Sequence, residues 1–426
     1  MKKKYFAKYK LWLKLAIVSA IGLVIFSLAG YSPVSADSPH PSPGLMLVDY
    51  RHLDGGKDGV ALIDLDPESK QFGKITQRRP IGQGVLPHHL YFNRDQSKLY
   101  NTALGGSNLY EIALKKDANG MPHIGQITPI DTHGHIVGED IYFTQDGSRF
   151  YMTFMGGQGG EKDGSIGVFD AQTNELLEII VAPVPDDPAS GQPFIMHPHG
   201  ISANEELGLL MVTSTVHPDL VSEVGNTVTL IDMKTNEVLK TYLVADSPED
   251  LSDPVEVLLL RDDLPPYAVV TTLLGGDIWV ASYNSQTGLF NEFEKKVEGE
   301  EHGLGVALEF YIHEDKQGEK ELYVSFGVPG VVNVYGLDQL PELPLKRTLP
   351  AGAGAHHMVF FETESGREVV VVQNNLLNGE GLNAGTLTVA DIHTGELLKT
   401  LDLPAEYGLL PESIELTFGH GHDYHH

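Results

Sequence analysis

The chain of 426 residues carries 58 acidic against 29 basic side chains, a net charge of −29, and no cysteine. So acidic a surface repels nucleic acid and anionic membranes and favours cations, and the missing thiols exclude disulfides and thiolate metal sites, leaving histidine and carboxylate as ligands. The 46 glycines and 25 prolines punctuate many short segments without a long amphipathic helical run, which predicts an all-β domain.

The N-terminus stands apart. Six lysines between Lys2 and Lys14 precede an apolar run from Leu15 to Gly30 and then Val34-Ser35-Ala36. This order predicts a secretory signal over residues 1–36, cleaved before Asp37, with a retained membrane anchor as the alternative. The run of 16 residues is short against the about 20 of a membrane span. Loss of the leader takes the net charge to −35 and puts the mature chain outside the cytoplasm, periplasmic or secreted. Residues 37–43 read as a linker, 44–419 as one folded domain, and 420–426, with His420, His422, His425 and His426, as a His-rich tail.

Gly59 to Ile75 reads as an outer hairpin, after which one pattern keeps restarting. It is seen at Pro87-His88-His89-Leu90-Tyr91-Phe92, His197-Pro198-His199-Gly200-Ile201 and Ala355-His356-His357-Met358-Val359-Phe360. Aligning each apolar strand and the turn after it makes His89, Asp140, His199, Glu256, Glu309, His357 and Glu415 equivalent, at separations of 51, 59, 57, 53, 48 and 58 residues. A period of about 50 residues is that of large propeller blades, so seven anchors predict a seven-bladed β-propeller.

Within a period, a second strand ends in paired glycines at Gly105-Gly106, Gly156-Gly157 and Gly275-Gly276. Hairpins follow at Ile231 to Leu239 and Ala390 to Leu398, where Thr-Asn and Thr-Gly supply the positive φ of a tight turn. The last segment, Ile414 to Phe418, has inner-strand character and no later strands of its own. It is expected to become the innermost strand of the blade containing Ala61 to Ile63, closing the ring and removing open sheet edges.

Inner strands of a propeller begin at its central channel, so the repeated positions converge. His88, His89, His197, His199, His302, His356 and His357 are the candidate metal ligands, joined by His133 and His135 in the loop before Glu139. One histidine at a strand start is ordinarily a hydrogen-bonded structural residue; several converging imidazoles suit copper, zinc, iron or nickel. Glu139, Asp140 and Glu256 are the candidate catalytic carboxylates, and with Glu309 and Glu415 they are placed to orient ligating imidazoles or to titrate. There is no Gly-Lys-Ser/Thr phosphate loop, no Gly-x-Ser-x-Gly elbow and no His-Glu-x-x-His helix. Gly156 to Gly160 lies between strands and reads as a turn.

Ala61 to Asn93, with Asp64-Leu65-Asp66-Pro67-Glu68-Ser69, Ile75, Arg79-Pro80 and Leu86-Pro87-His88-His89, resembles the first-blade signature of the selenium-binding protein and methanethiol oxidase family. Asp131-Thr132-His133 leading into Glu139-Asp140-Ile141, then Pro254-Val255-Glu256-Val257 and Ile414-Glu415-Leu416, resemble its later inner strands, so the likeness spans most of residues 44–418. The resemblance implies copper-dependent oxidation of methanethiol, or a related small sulfur compound, to formaldehyde, hydrogen peroxide and hydrogen sulfide. It implies a site carried by His88 and His89 with His133 and His135. The chain departs from that pattern in having no cysteine for a selenium adduct and in its extra histidines at 197, 199, 356 and 357. Beside the oxidoreductase stand two alternatives: a secreted propeller that binds a protein partner without catalysis, and an extracytoplasmic metal-binding protein.

Overall fold

Turn chemistry sets the outer hairpins. Asn174 (φ 62°), Asn236 (φ 56°) and Gly395 (φ 68°) take the left-handed conformation that asparagine and glycine tolerate. In the same turns Asp170, Asp232 and Asp391 each accept the backbone N–H groups two and three residues on. Three separate repeats thus fold through one local device.

The computed structural model describes residues 45–118, 121–156, 164–181, 194–218, 222–314, 318–363 and 365–417. The expected leader, the linker, the turn at 157–160, the His-rich tail and Phe418 lie outside them. The strands form seven antiparallel sheets arranged as blades. In chain order their innermost strands are Pro87–Phe92 (blade 2), Ile136–Phe143 (blade 3), Pro198–Asn204 (blade 4), Pro254–Leu259 (blade 5), Gly305–Glu314 (blade 6) and Ala355–Glu362 (blade 7). The seventh sheet, blade 1, has Leu409–Leu416 innermost, paired with Leu45–His52, which the sequence reading had not resolved as a strand, and then Asp58–Asp64 and Ile75–Gly82. The C-terminal strand therefore closes the ring as expected, with Met46 opposite Leu416 and His52 opposite Leu409. Among the described residues blade 5 alone carries a fifth strand, because its outer edge is split into Leu289–Phe290 and Glu294–Val297. Among the described residues no helix is long and apolar enough to cross a membrane.

Each of the seven interfaces between neighbouring blades is filled by an apolar cluster. Blades 7 and 1, for example, share Phe361, Val369 and Val389 with Met46, Ile63 and Ile414. The core is thus a ring of inter-blade layers around a channel, and the polar side chains at the strand starts face the centre.

All seven innermost strands carry a bulge at the same level. One extra residue interrupts the register between Pro87 and His89, Gly138 and Ile141, Pro198 and Ile201, Pro254 and Val257, Ala307 and Phe310, Ala355 and Met358, and Pro411 and Ser413. A bulge re-aims the side chains it contains. The polar ones among them are His88, Glu139 and Asp140, His199, Glu256, Glu309, His356 and His357, and Glu412. The register corrects two anchors: in blade 4 Gly200, not His199, stands level with Asp140 and Glu256, and in the closing strand Glu412 occupies the bulge, while Glu415 lies three residues on, half-buried, and accepts the Leu416 N–H at 2.8 Å.

Candidate metal centre

A bulge leaves backbone groups out of the strand ladder, and buried ones need other partners. A polar girdle from the second strand of each blade supplies them. Thr153 Oγ1 accepts the Asp140 N–H of its own blade and donates to the His199 carbonyl of the next. Thr213 Oγ1 does the same for the Gly200 N–H and the Val255 carbonyl, both at 2.8 Å. Thr271 serves Glu256 and Leu308, and Gln373 serves His357 and Pro411. Asn101 and Asp49 continue the ring by holding the His89 carbonyl and the Ser413 N–H. Gly200 sits where an added Cβ would meet Glu256 Oε2 at 2.4 Å, so only glycine lets blades 4 and 5 approach this closely.

Held this way, five imidazoles from three blades meet. Ring centroids lie 4.2 Å apart for His88 and His89, 4.0 Å for His356 and His357, and 4.7 Å for His89 and His357. His199 stands 6.2 Å from His88 and 6.0 Å from His89. Buried carboxylates thread between them. Glu139 Oε2 reaches His88 Nε2 at 3.0 Å and His199 Nε2 at 3.5 Å, while Glu256 Oε1 lies 3.0 Å from His199 Nδ1. Glu309 Oε1 reaches His356 Nε2 at 3.5 Å and His357 Nδ1 at 3.6 Å. Glu412, which sequence reasoning missed, pairs with Arg51 and accepts from Asn375 Nδ2.

Burial dominates the protonation of the cluster. It pushes His88 down to about 3 and His89 and His356 below the usual histidine range, and it pushes Glu139 up to about 7. His88, His89 and His356 are therefore neutral at physiological pH, the form that binds metal. His88 Nδ1, His89 Nε2 and His356 Nδ1 are buried without a hydrogen-bond partner among the described residues. An unpaired buried polar atom costs about 1–3 kcal/mol, and three of them on one cluster are what a metal centre needs.

Asp140 orders the cluster from behind. Its oxygens accept the Ile141 and Ile201 N–H groups at 2.7 and 2.9 Å, tying blade 3 to blade 4. It also accepts a hydrogen bond from the Tyr91 phenol. The Tyr91 oxygen is then left to accept from His89 Nδ1, 2.5 Å away, which places the free lone pair of His89 on Nε2. Beside them a cavity of about 10 Å³, room for about one water, is lined by His89, Tyr91, Glu309, Tyr311 and His357.

Ligand atoms fall into two sets, each lying mutually within 4.8 Å: His88, His89, Glu139 and His199, and His89, Glu309, His356 and His357. Of the nine histidines expected from the sequence, five join these sets and four stand apart. His133 is exposed, with its backbone N–H on Asp131 Oδ1. His135 bonds Ser165 and lies against Phe154. His197 is buried but turned outward from the cluster, its Nδ1 3.0 Å from the Met155 carbonyl and its Nε2 3.5 Å from Glu223. His302 ends an exposed 3₁₀ turn, Gly299–His302.

The fold has many solved counterparts. A hypothetical selenium-binding protein from Sulfolobus tokodaii superposes with a TM-score of 0.67 at 16% identity, covering 89% of this chain and 95% of that one. A protein of unknown function from Desulfotomaculum acetoxidans gives 0.56 at 14% identity, covering 88% and 98%. A putative 6-phosphogluconolactonase from Bacteroides fragilis gives 0.50 at 16% identity, covering 90% and 99%. These likenesses show the fold alone. No protein-family model and no curated protein matches the chain.

Proposed function

We propose that the chain is a copper-dependent oxidoreductase acting on methanethiol or a related small thiol at the channel cluster. The observation that carries this reading is the convergence of five buried imidazoles from three blades, whose ligand atoms fall with Glu139 and Glu309 into two sets each lying within 4.8 Å, without a thiolate among them. Imidazole with carboxylate suits copper, and a thiolate-free set points away from blue-copper electron transfer. His88, His89, His199, His356 and His357 would hold the metal with Glu139 and Glu309. Copper there would supply the one-electron chemistry that couples a thiol to dioxygen.

The protein's own groups supply the rest. Tyr91 and Asp140 hold His89 Nδ1, and His89, Tyr91, Tyr311 and His357 line the cavity that an entering thiol would reach. The cavity suits a molecule of very few atoms. The reaction balances as methanethiol, dioxygen and water giving formaldehyde, hydrogen sulfide and hydrogen peroxide. A phosphorylated sugar lactone fits poorly, because Glu139, Glu256 and Glu309 would meet its phosphate with like charge.

The test is copper content and methanethiol-dependent peroxide release for wild type, His89→Ala and the surface control Lys234→Ala. Wild type and the control are expected to hold copper and turn over, and His89→Ala to lose at least about 10–100-fold in metal affinity or activity. Copper-loaded wild type that releases no peroxide sinks the oxidase reading and leaves a metal-binding protein; wild type that takes up no copper sinks both. We propose, on the expected secretory signal over residues 1–36, that the protein acts outside the cytoplasm, released or held by that segment as an anchor.

A further inference from the structure

We infer that the channel binds two metal ions side by side, one in each ligand set, with His89 completing only one of them. The inference rests on the metal-centre reading above and adds a stoichiometry and a division of labour to it.

The two sets share a single residue. Glu139 belongs only to the set from blades 2, 3 and 4, and Glu309 only to the set completed by blade 7. His89 cannot serve both, because its Nδ1 is held by Tyr91 and one lone pair remains, on Nε2. Without His89 each set still offers two imidazoles and one carboxylate: His88, His199 and Glu139, or His356, His357 and Glu309. Two histidines and a carboxylate are a sufficient protein donor set for a divalent transition metal with open positions. The set that gains His89 becomes a three-imidazole site; the other keeps more open positions for an exogenous ligand.

Each set also has its own sign of a missing partner. His88 Nδ1 in the first and His356 Nδ1 in the second are buried nitrogens without a hydrogen-bond partner among the described residues, at 4% and 2% residue exposure. A single ion in one set would leave the other in that state. The centroids of His88 and His356 are 6.2 Å apart, so the two sets are neighbours. Two-metal sites hold their ions about 3.5–4 Å apart.

The experiment uses the full chain with His420, His422, His425 and His426 changed to alanine, so that the tail adds no equivalents. Metal-free protein is loaded with Cu(II), desalted and assayed for retained copper, and its electron paramagnetic resonance spectrum is recorded. The background protein is expected to retain two equivalents with a spin-coupled signal. The near-isosteric variants Glu139→Gln and Glu309→Gln, and separately His199→Ala and His356→Ala, are each expected to retain one equivalent with an uncoupled signal. Circular dichroism confirms that each variant is folded. One equivalent in the background protein overturns the two-ion inference and leaves the metal centre standing. Loss of all copper in both glutamine variants overturns it as well, since that describes one site built from both sets. No retained copper in the background protein overturns the metal centre itself.

Discussion

Thr213 gives the sharpest test of how the centre is built. Its hydroxyl is fully buried, accepts the Gly200 N–H and donates to the Val255 carbonyl, both at 2.8 Å, and so fixes two adjacent bulges at once. Thr213→Val keeps the shape and removes both bonds. Orphaning two buried backbone groups costs about 1–3 kcal/mol each. The released burial cost of the hydroxyl, about 1–3 kcal/mol, offsets part of that, and the net is about 1–3 kcal/mol. At about 2.1 cal/mol/K per residue, a domain spanning residues 45–417 unfolds with an entropy of about 0.8 kcal/mol/K. The variant should therefore melt roughly 1–4 °C lower by scanning calorimetry of the metal-free protein, and should bind copper more weakly because His199 and Glu256 flank the loosened backbone. Thr76→Val, at an exposed position of an outer strand, should stay within about 0.5 kcal/mol of wild type. Equal melting temperatures for Thr213→Val and wild type would refute the girdle.

Three further outcomes follow from the same geometry. Tyr91→Phe removes the acceptor that holds His89 Nδ1, so copper affinity should fall about 10–100-fold while the fold is kept; unchanged affinity by competition with a chromogenic chelator would show that the tautomer is set elsewhere. Burial raises Asp49 to about 8 in the folded chain, so folding takes up a proton there, and the stability this gives is full at acid pH and lost as pH rises from about 4 to about 8. Asp49→Asn lacks that slope, so the melting temperature of the variant relative to wild type should rise across this window, and a flat difference would contradict it. Ending the chain at Gly408 removes the closing strand and buried Leu409, Leu410, Ile414 and Leu416, a loss of roughly 6–12 kcal/mol at about 1.5–3 kcal/mol per side chain. The exposed edge of Leu45–His52 should then also drive aggregation; a truncated protein that melts like wild type and stays monomeric in light scattering would refute ring closure.

The ring was legible because its signals are local. Asn236 and Gly395 announce their turns by the conformation they tolerate, and the spacing from His89 to His357 counts the blades without knowledge of any contact. His88, His89, His356 and His357 were legible because two adjacent histidines at a bulge both belong to the channel level. His197 and His199 show where the method ends. They lie two residues apart, yet only His199 falls within the register break, and strand alternation carries no mark of an extra residue. The same blindness exchanged Glu412 for Glu415. Thr153, Thr213 and Thr271 were invisible for another reason: a threonine in a strand reads as ordinary β-branched filling, and only the bulge opposite gives its hydroxyl a task.

Anomalous diffraction at the copper edge from copper-loaded crystals would show whether the channel cluster is a transition-metal site. Anomalous density is expected about 2 Å from imidazole nitrogens of the set His88, His89, His199, His356 and His357. Copper found only on the outer surface or the histidine tail, with the channel cluster ordered and metal-free, would contradict it.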